Sequence, residues 1–95
     1  MPAYVIVDIE ITDNAGFADY RKGVVPLVQR YGGKYVAVSD RVETLEGSWR
    51  PKRVVMIEFE SLKRAQEWFT CEEYRPLCKI RSRTAKTKMI LVEGV

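Results

Sequence analysis

Two carboxylates interrupt segments that are otherwise apolar. Asp8 lies in the alternating segment Ala3–Ile11, and Glu58 lies in the β-branched segment Arg53–Glu60. A carboxylate moved out of water holds its proton to higher pH and can act as a general base. The alternative is that each pairs with an arginine across an interface or lies at a hydrated rim, since structural ion pairs also occur at such positions. We therefore predict Asp8 and Glu58 as catalytic residues and leave the ion-pair interpretation open.

Four aromatic side chains with a polar tip could line a ligand pocket. Tyr20, Trp68 and Tyr74 lie in segments with helical spacing, and Trp49 lies in a turn before a predicted strand. Such residues combine an apolar ring with a hydroxyl or an indole N–H that can orient a flat ligand. Aromatics at helical spacing are more often core residues, and Trp49 could instead pack over the end of the fold. All four are predicted ligand-binding residues.

Basic residues form two clusters, one around Arg53 and one from Arg75 to Lys88. Such clusters could contact phosphates or an anionic substrate. An RNA-recognition sheet would need a glycine-aromatic signature on its third strand, which this chain lacks. With a net charge of only +3, we predict no nucleic-acid partner. Arg53 and Arg81 complete the predicted ligand-binding set, because either could attract an anionic group.

Histidine is absent from the 95 residues. Its absence removes the commonest general base near neutral pH and the commonest ligand of zinc and haem iron. No acidic segment has the spacing of an EF-hand loop. We therefore predict a protein without a metal or another cofactor.

The composition indicates one globular domain over residues 1–95. Hydrophobic residues make up 46% of the chain and aromatics 11%, which is enough for a core. No apolar run approaches the ~20 residues that span a bilayer, and Met1–Ile11 lacks the pattern of a signal peptide. Cys71 and Cys78 would lie about 10 Å apart along a helix, too far for a disulfide. We therefore expect reduced thiols, a cytoplasmic location and no membrane contact.

Apolar periodicity predicts the element order βαββαβ. The predicted strands cover Ala3–Ile11, Lys34–Ser39, Arg53–Glu60 and Lys88–Val92, with the second strand resuming over 42–45. This order is that of a ferredoxin-like α+β fold with a four-stranded antiparallel sheet.

The predicted helices have recognisable start signals. Asp13 is a plausible N-cap of the first helix, in which Pro26 predicts a kink near Gly23 or two helical pieces. Ser61 is expected to cap the second helix. The segment 70–73 has the form of a capping box for another helix.

The two faces of the predicted sheet differ in composition. The helices would cover one face, whose residues are Val5, Val7, Ile9, Val55, Ile57 and Phe59. The opposite face would carry Tyr4, Ile6, Asp8, Val54, Met56 and Glu58. Since this second face is too apolar to remain in water, we expect it to pack against a second copy of the chain.

A longer pattern connects these segments to a known family. It consists of Leu45-Glu46-Gly47, Trp49, Pro51, Arg53, the strand 54–59, Ser61, Ala65 and Trp68, followed by Glu73-Tyr74, Leu77, Arg81 and Val92-Glu93-Gly94. The pattern resembles the uncharacterised domain family numbered 1330, within the dimeric α/β barrel superfamily. The chain departs from it at Cys71-Glu72, where the family usually has serine and proline.

The resemblance implies a homodimeric α/β barrel formed by two sheets but no particular reaction. The superfamily includes cofactor-free monooxygenases, isomerases, dehalogenase-like enzymes and small-ligand binding modules. We predict a small dimer that binds or transforms a small apolar or aromatic molecule, which could be anionic, without a metal. The alternative is a non-catalytic homodimeric interaction module, in which the same residues only close the core and the dimer.

Overall fold

The computed structural model describes all of residues 1–95. The elements in chain order are β1 (Ala3–Ile11), α1 (Asn14–Arg30), β2 (Lys34–Ser39), β3 (Arg53–Phe59), α2 (Leu62–Thr70), α3 (Tyr74–Thr84) and β4 (Ala85–Glu93). The strands form one antiparallel sheet in the order β2-β3-β1-β4. The predicted ferredoxin-like α+β fold with a four-stranded antiparallel sheet is confirmed.

The helix-covered face of the sheet is the one predicted from side-chain alternation. Val5 pairs with Ile57 and Val7 pairs with Val55, and all four side chains are buried. Trp68, Tyr74 and other helix residues close the core above them. The alternation is readable in the sequence because only one face of β1 and β3 is covered by helices.

The other face of the sheet, called here the open face, carries no helix. The register places Ala37, Met56, Ile6 and Ile90 side by side, so an apolar row crosses all four strands. Ile90 is 61% exposed. The protein is therefore a two-layer slab, with principal extents of 35 × 32 × 16 Å, that leaves an apolar stripe uncovered.

Helix α1 is continuous across Pro26, so the alternative of two helical pieces is wrong, and a kink near Gly23 stays a prediction. Asp13 caps the helix as predicted, its carboxylate accepting the backbone N–H of Gly16 at 3.1 Å. Pro26 removes one helical hydrogen bond and leaves the carbonyl of Lys22 without that partner. Both residues are exposed, so water can replace the missing bond.

Four other boundary predictions need correction. Residues 42–45 form no strand, and β3 ends one residue earlier than predicted, at Phe59. The predicted capping box does not form: the first turn of α3 has no side-chain cap, and the Thr70 hydroxyl donates to the carbonyl of Gln66 within α2. β4 begins at Ala85, three residues before the predicted start, because the Thr84 carbonyl accepts the backbone N–H groups of Thr12 and Asp13.

None of the three helices is long and apolar enough to cross a membrane.

Candidate functional site

A cavity of about 180 Å³ lies between α1 and the helix-covered face of the sheet. Twelve of its fifteen lining residues are hydrophobic. The lining consists of Val7, Ile9, Phe17, Tyr20, Arg21, Val24, Val25, Tyr35, Val38, Arg53, Val55, Ile57, Trp68, Arg81 and Met89. An apolar space of this size is comparable with a cavity of about 150 Å³ that holds benzene.

The cavity has a buried end and an exposed end. Trp68 is 1% exposed and Tyr20 is 7% exposed, whereas Val38 on the edge strand β2 is 57% exposed. Arg21 of α1 is also exposed. The cavity therefore opens between α1 and β2, and a ligand entering there would meet Tyr20 and Trp68 inside.

The buried end contains a hydrogen-bonded tyrosine pair. The hydroxyl oxygens of Tyr20 and Tyr74 are 2.9 Å apart, and Nη1 of Arg81 donates to the Tyr74 hydroxyl at 3.4 Å. Burial raises the pKa of Tyr20 and raises that of Tyr74. The hydrogen bond between them lowers the pKa of Tyr20 and raises that of Tyr74. Both phenols are therefore neutral at physiological pH.

Arg81 has only weak, neutral acceptors around its guanidinium group. Besides Tyr74, Nη1 contacts Sδ of Met89 at 3.9 Å, and Nη2 contacts Sγ of Cys78 at 3.6 Å. Nε of Arg81 and Nε1 of Trp68 are buried and have no hydrogen-bond partner. The cavity wall thus includes two side chains with unused buried donors.

The other two arginines of the lining are placed differently. Arg53 makes a bidentate ion pair with Asp40, with Nε–Oδ1 and Nη2–Oδ2 distances of 2.6 Å and 3.2 Å. This contact lowers the pKa of the Asp40 carboxyl. Arg21 lies over the ring of Phe17, with Cζ 5.3 Å from the ring centroid, and has no carboxylate partner.

Tyr35 lines the cavity but was not predicted. Burial raises its pKa to about 12, so this phenol also stays neutral. A β-bulge between Tyr35 and Ala37 shifts the register of β2 against β3. The alternation of β2 could have indicated an inward Tyr35, but the burial of this edge strand depends on how α1 packs over it.

The predicted site residues divide between two surfaces. Tyr20, Arg53, Trp68 and Arg81 line the cavity, and Tyr74 lies behind Tyr20. Trp49 is 57% exposed and lies outside the cavity lining.

Asp8 and Glu58 lie on the open face, on the other side of the sheet from the cavity. The carboxylate of Asp8 accepts the indole N–H of Trp49 at 2.8 Å, and that of Glu58 accepts the Tyr4 hydroxyl at 3.2 Å. Their pairing positions are four residues apart along the strands, or roughly 13 Å, so they do not form a dyad. Their action as general bases stays a prediction, and it would concern the open face.

The lining offers cations and neutral hydroxyls but no proton acceptor. Asp, Glu, His, Cys and Lys are all missing from it. Nowhere in the chain do three His, Cys, Asp or Glu side chains form a group that could hold a metal ion. The arrangement can enclose an apolar body and donate hydrogen bonds to an acceptor at its buried end.

The sheet order and the position of the helices define a ferredoxin-like α+β protein. The chain belongs to the DUF1330 family, a domain of unknown function, whose family model matches residues 2–95. No curated protein matches the chain.

Solved structures with this fold include proteins with and without a described activity. A protein of unknown function from Rhodopseudomonas palustris aligns with a TM-score of 0.79 and 19% identity, covering 99% of this chain and 82% of that chain. A dimeric ferredoxin-like protein of unknown function from Jannaschia sp. CCS1 aligns with a TM-score of 0.71 and 9% identity, covering 99% and 100%. SnoaB, a cofactor-independent oxygenase from Streptomyces nogalater, aligns with a TM-score of 0.68 and 10% identity, covering 99% and 93%. At these identities the similarity shows the fold alone.

Proposed function

We propose that the protein binds a small apolar or aromatic molecule in the cavity beneath α1. The observation that carries the proposal is an apolar space of about 180 Å³ whose wall holds unpaired buried donors on Trp68 and Arg81. Ligand sites typically combine a mostly apolar wall with a few polar groups in this way. The volume suits a molecule with one ring.

The energetic cost of the cavity also supports an occupant. A closed apolar cavity of this volume would destabilise a protein by roughly 4 kcal/mol, at about 24 cal/mol per Å³. This cavity opens to solvent, so its cost is smaller. A larger side chain at position 24 or 25 could fill the space without a ligand, but the chain has valine at both. A ligand that fills it would recover the lost contacts.

We further propose that two copies associate through their open faces. The apolar row of Ala37, Met56, Ile6 and Ile90 is uncovered in a single chain, and an exposed apolar stripe of this kind is typical of an interface. The Jannaschia protein and another with the same fold from Bacteroides fragilis are described as dimeric. The dimer leaves the cavities accessible, because each lies on the other side of its sheet.

No reaction is proposed. The fold of SnoaB is shared by many activities, and the cavity lining contains no group that could remove a proton at neutral pH. Any transformation of the ligand would use the ligand's own ionised form or a group outside the lining.

Methyl NMR of the protein labelled at valine, leucine and isoleucine tests the proposed site. The probes are toluene, benzamide and benzoate. We expect at least one of them to shift the methyl signals of Val7, Val24 and Val55. The signals of Ile90 and Val92 on the open face serve as the internal control and should not move at the same probe concentration.

A cavity-filling variant makes the test specific. Val24→Phe should abolish the shifts, and it should also raise the midpoint of urea unfolding if the ring fits the space. If no probe shifts the cavity signals, or if Val24→Phe responds as the wild type does, the cavity does not bind molecules of this class. The interaction-module alternative, which rests on the open face alone, would then be the better account.

A further inference from the structure

We propose that the cavity selects a small monocarboxylate, whose charged end is held by the Arg81 guanidinium and the Tyr20 hydroxyl. This inference rests on the proposed function and adds the charge and chemical class of the ligand.

The charges around the cavity favour an anion. Arg21, Arg53 and Arg81 all line it, and no acidic residue does. Asp40 offsets the charge of Arg53 through its bidentate pair. Arg21 and Arg81 make no ion pair, so two positive charges of the wall remain without a counterion.

Arg81 is the cation best placed to receive the charge. Its guanidinium lies among a phenol, a thioether and a thiol, which are weak acceptors for a cation. Its Nε is buried without any partner. A partly buried guanidinium normally has a carboxylate or phosphate on its planar donor fork. A carboxylate ligand would supply the acceptor that the chain itself does not provide.

The tyrosine pair supplies a second donor to the same place. Arg81 donates to the Tyr74 oxygen, and in the arrangement in which the Tyr74 proton bonds the Tyr20 oxygen, Tyr20 keeps its own proton free. The Tyr20 proton then has no protein acceptor and can point into the cavity that Tyr20 lines. Since Arg81 and Tyr20 both bond the Tyr74 hydroxyl, one carboxylate can contact both groups.

The wall also determines which form of the acid is bound. With no proton acceptor in the lining, the site cannot ionise a neutral acid and takes the carboxylate from water as it exists near neutral pH. The apolar remainder of the cavity accommodates one ring or a branched aliphatic group. A ligand with one ring lies inside the exposed mouth at Arg21, so a second acidic group on it would enter this apolar part at a large desolvation cost. These constraints specify a monoanion.

The inference is tested by comparing acids with their neutral amides. Calorimetry would measure the Kd of benzoate, phenylacetate and 3-phenylpropionate and of the corresponding primary amides. We expect at least one acid to bind the wild type about tenfold or more tightly than its amide, the ratio that a hydrogen bond to a charged group supplies.

Variants assign this preference to particular groups. Arg81→Gln should remove the preference and leave the Kd of the amide within about twofold, since only the charge-assisted bonds are lost. Arg83→Gln, an exposed position in the same last turn of α3, is the matched control and should behave as wild type. If Arg81→Gln fails to fold, Tyr20→Phe supplies the second test and should weaken the acid several-fold more than the amide.

The outcomes separate this inference from the proposed function. If acids bind no more tightly than their amides, or if Arg81→Gln and Arg83→Gln weaken the acids equally, the inference is wrong. Equal binding of acids and amides that Val24→Phe blocks would still leave the cavity as a ligand site. If neither the acids nor the amides bind, both the inference and the proposed function are wrong.

Discussion

The hydroxyl pair of Tyr20 and Tyr74 is the most constrained polar contact in the core. Tyr74 is 1% exposed and Tyr20 is 7% exposed, and their oxygens are 2.9 Å apart. Each hydroxyl depends on the other because few other polar groups reach this depth. Their contribution to stability can be measured without removing either ring.

We expect Tyr74→Phe and Tyr20→Phe each to lower the free energy of unfolding by about 1–2 kcal/mol, since each removes the buried hydrogen bond between the two hydroxyls. The double variant should cost less than the sum of the two, because both remove the same bond. Urea denaturation gives the three values. Tyr35→Phe, which removes a hydroxyl with no protein partner, should change stability by less than about 0.5 kcal/mol. Fully additive costs would show that the two hydroxyls are not coupled.

The same residues make stability depend on alkaline pH. The pKa of Tyr20 and that of Tyr74 are raised by burial, and burial raises that of Tyr35 to about 12. The unfolded chain loses these protons near pH ~10 while the folded state retains them. Since the folded state then binds more protons, its stability is fully present below pH ~10 and falls as pH rises further.

We therefore expect the free energy of unfolding to decrease from about pH 10 to 12, with each retained proton contributing up to about 1.4 kcal/mol per pH unit. Urea unfolding at a series of pH values measures the slope, and absorbance at alkaline pH follows phenolate formation. Tyr20→Phe should make the slope shallower. An unchanged slope would mean that Tyr20 ionises equally in both states.

At the scale of elements, the starts of α2 and α3 show which of the predicted capping residues form a hydrogen bond to the helix backbone. Ser61 accepts the backbone N–H of Arg64 at 3.1 Å and caps α2, whereas α3 begins without a side-chain cap. The Thr70 hydroxyl faces back into α2. A threonine followed three residues later by glutamate is therefore not sufficient for a capping box here.

Alanine at these two positions should have unequal effects. Ser61→Ala should lower the free energy of unfolding by about 0.5–2 kcal/mol because it removes the acceptor of an orphan backbone N–H. Thr70→Ala should cost less than about 0.5 kcal/mol, since its exposed bond is not a cap. Thermal or urea unfolding of both variants measures the two losses in the free energy of unfolding. Equal losses would contradict the assignment of the cap to Ser61 alone.

Elements with a clear period were predictable because one face of each is buried. Alternation in β1 and β3 was sufficient to sort their residues between the two sides of the sheet. Prediction failed where a distant contact decides the outcome. The early start of β4 depends on Thr84 bonding the turn before α1, 72 and 71 residues away at Thr12 and Asp13. The continuity of α1 depends on where Pro26 faces.

The candidate site was predictable to a similar extent. Tyr20, Trp68 and Arg81 follow from residue type and helical position, and all three line the cavity. Tyr35 and Arg21 were missed because a bulged edge strand and an exposed helix position look like solvated surface in the sequence. The sheet face that carries Asp8 and Glu58 could be predicted from the alternation. Their separation from the cavity could not, because the sequence does not indicate on which side of the sheet a cavity lies.

At the scale of the molecule, the proposed dimer makes a prediction about the open face. Ile90 is 61% exposed and lies at the end of the apolar row. Ile90→Glu should leave the single chain folded, because the substitution is at an exposed position. In a face-to-face dimer it would bury two unpaired charges, each costing about 3–5 kcal/mol.

Sedimentation velocity should therefore show a wild-type particle of twice the 11.0 kDa chain mass and a monomeric Ile90→Glu variant. Gln29→Glu adds the same charge at an exposed position of α1 in the helix layer, and it should remain dimeric. A monomeric wild type, or an Ile90→Glu variant that dimerises as tightly as wild type, would remove the open face as the interface.

The place of β1 between β3 and β4 sets the order in which the chain can fold. β1 is the first of the four strands in the chain, yet one of its two partners, β4, is the last. Closing that pair requires a loop of nearly the whole domain, and such topologies fold slowly. During synthesis β1 therefore has an unpaired edge until β4 emerges. We expect a chain truncated after Thr84 to lose cooperative urea unfolding, and retention of a sharp transition would show that the sheet does not need its last strand.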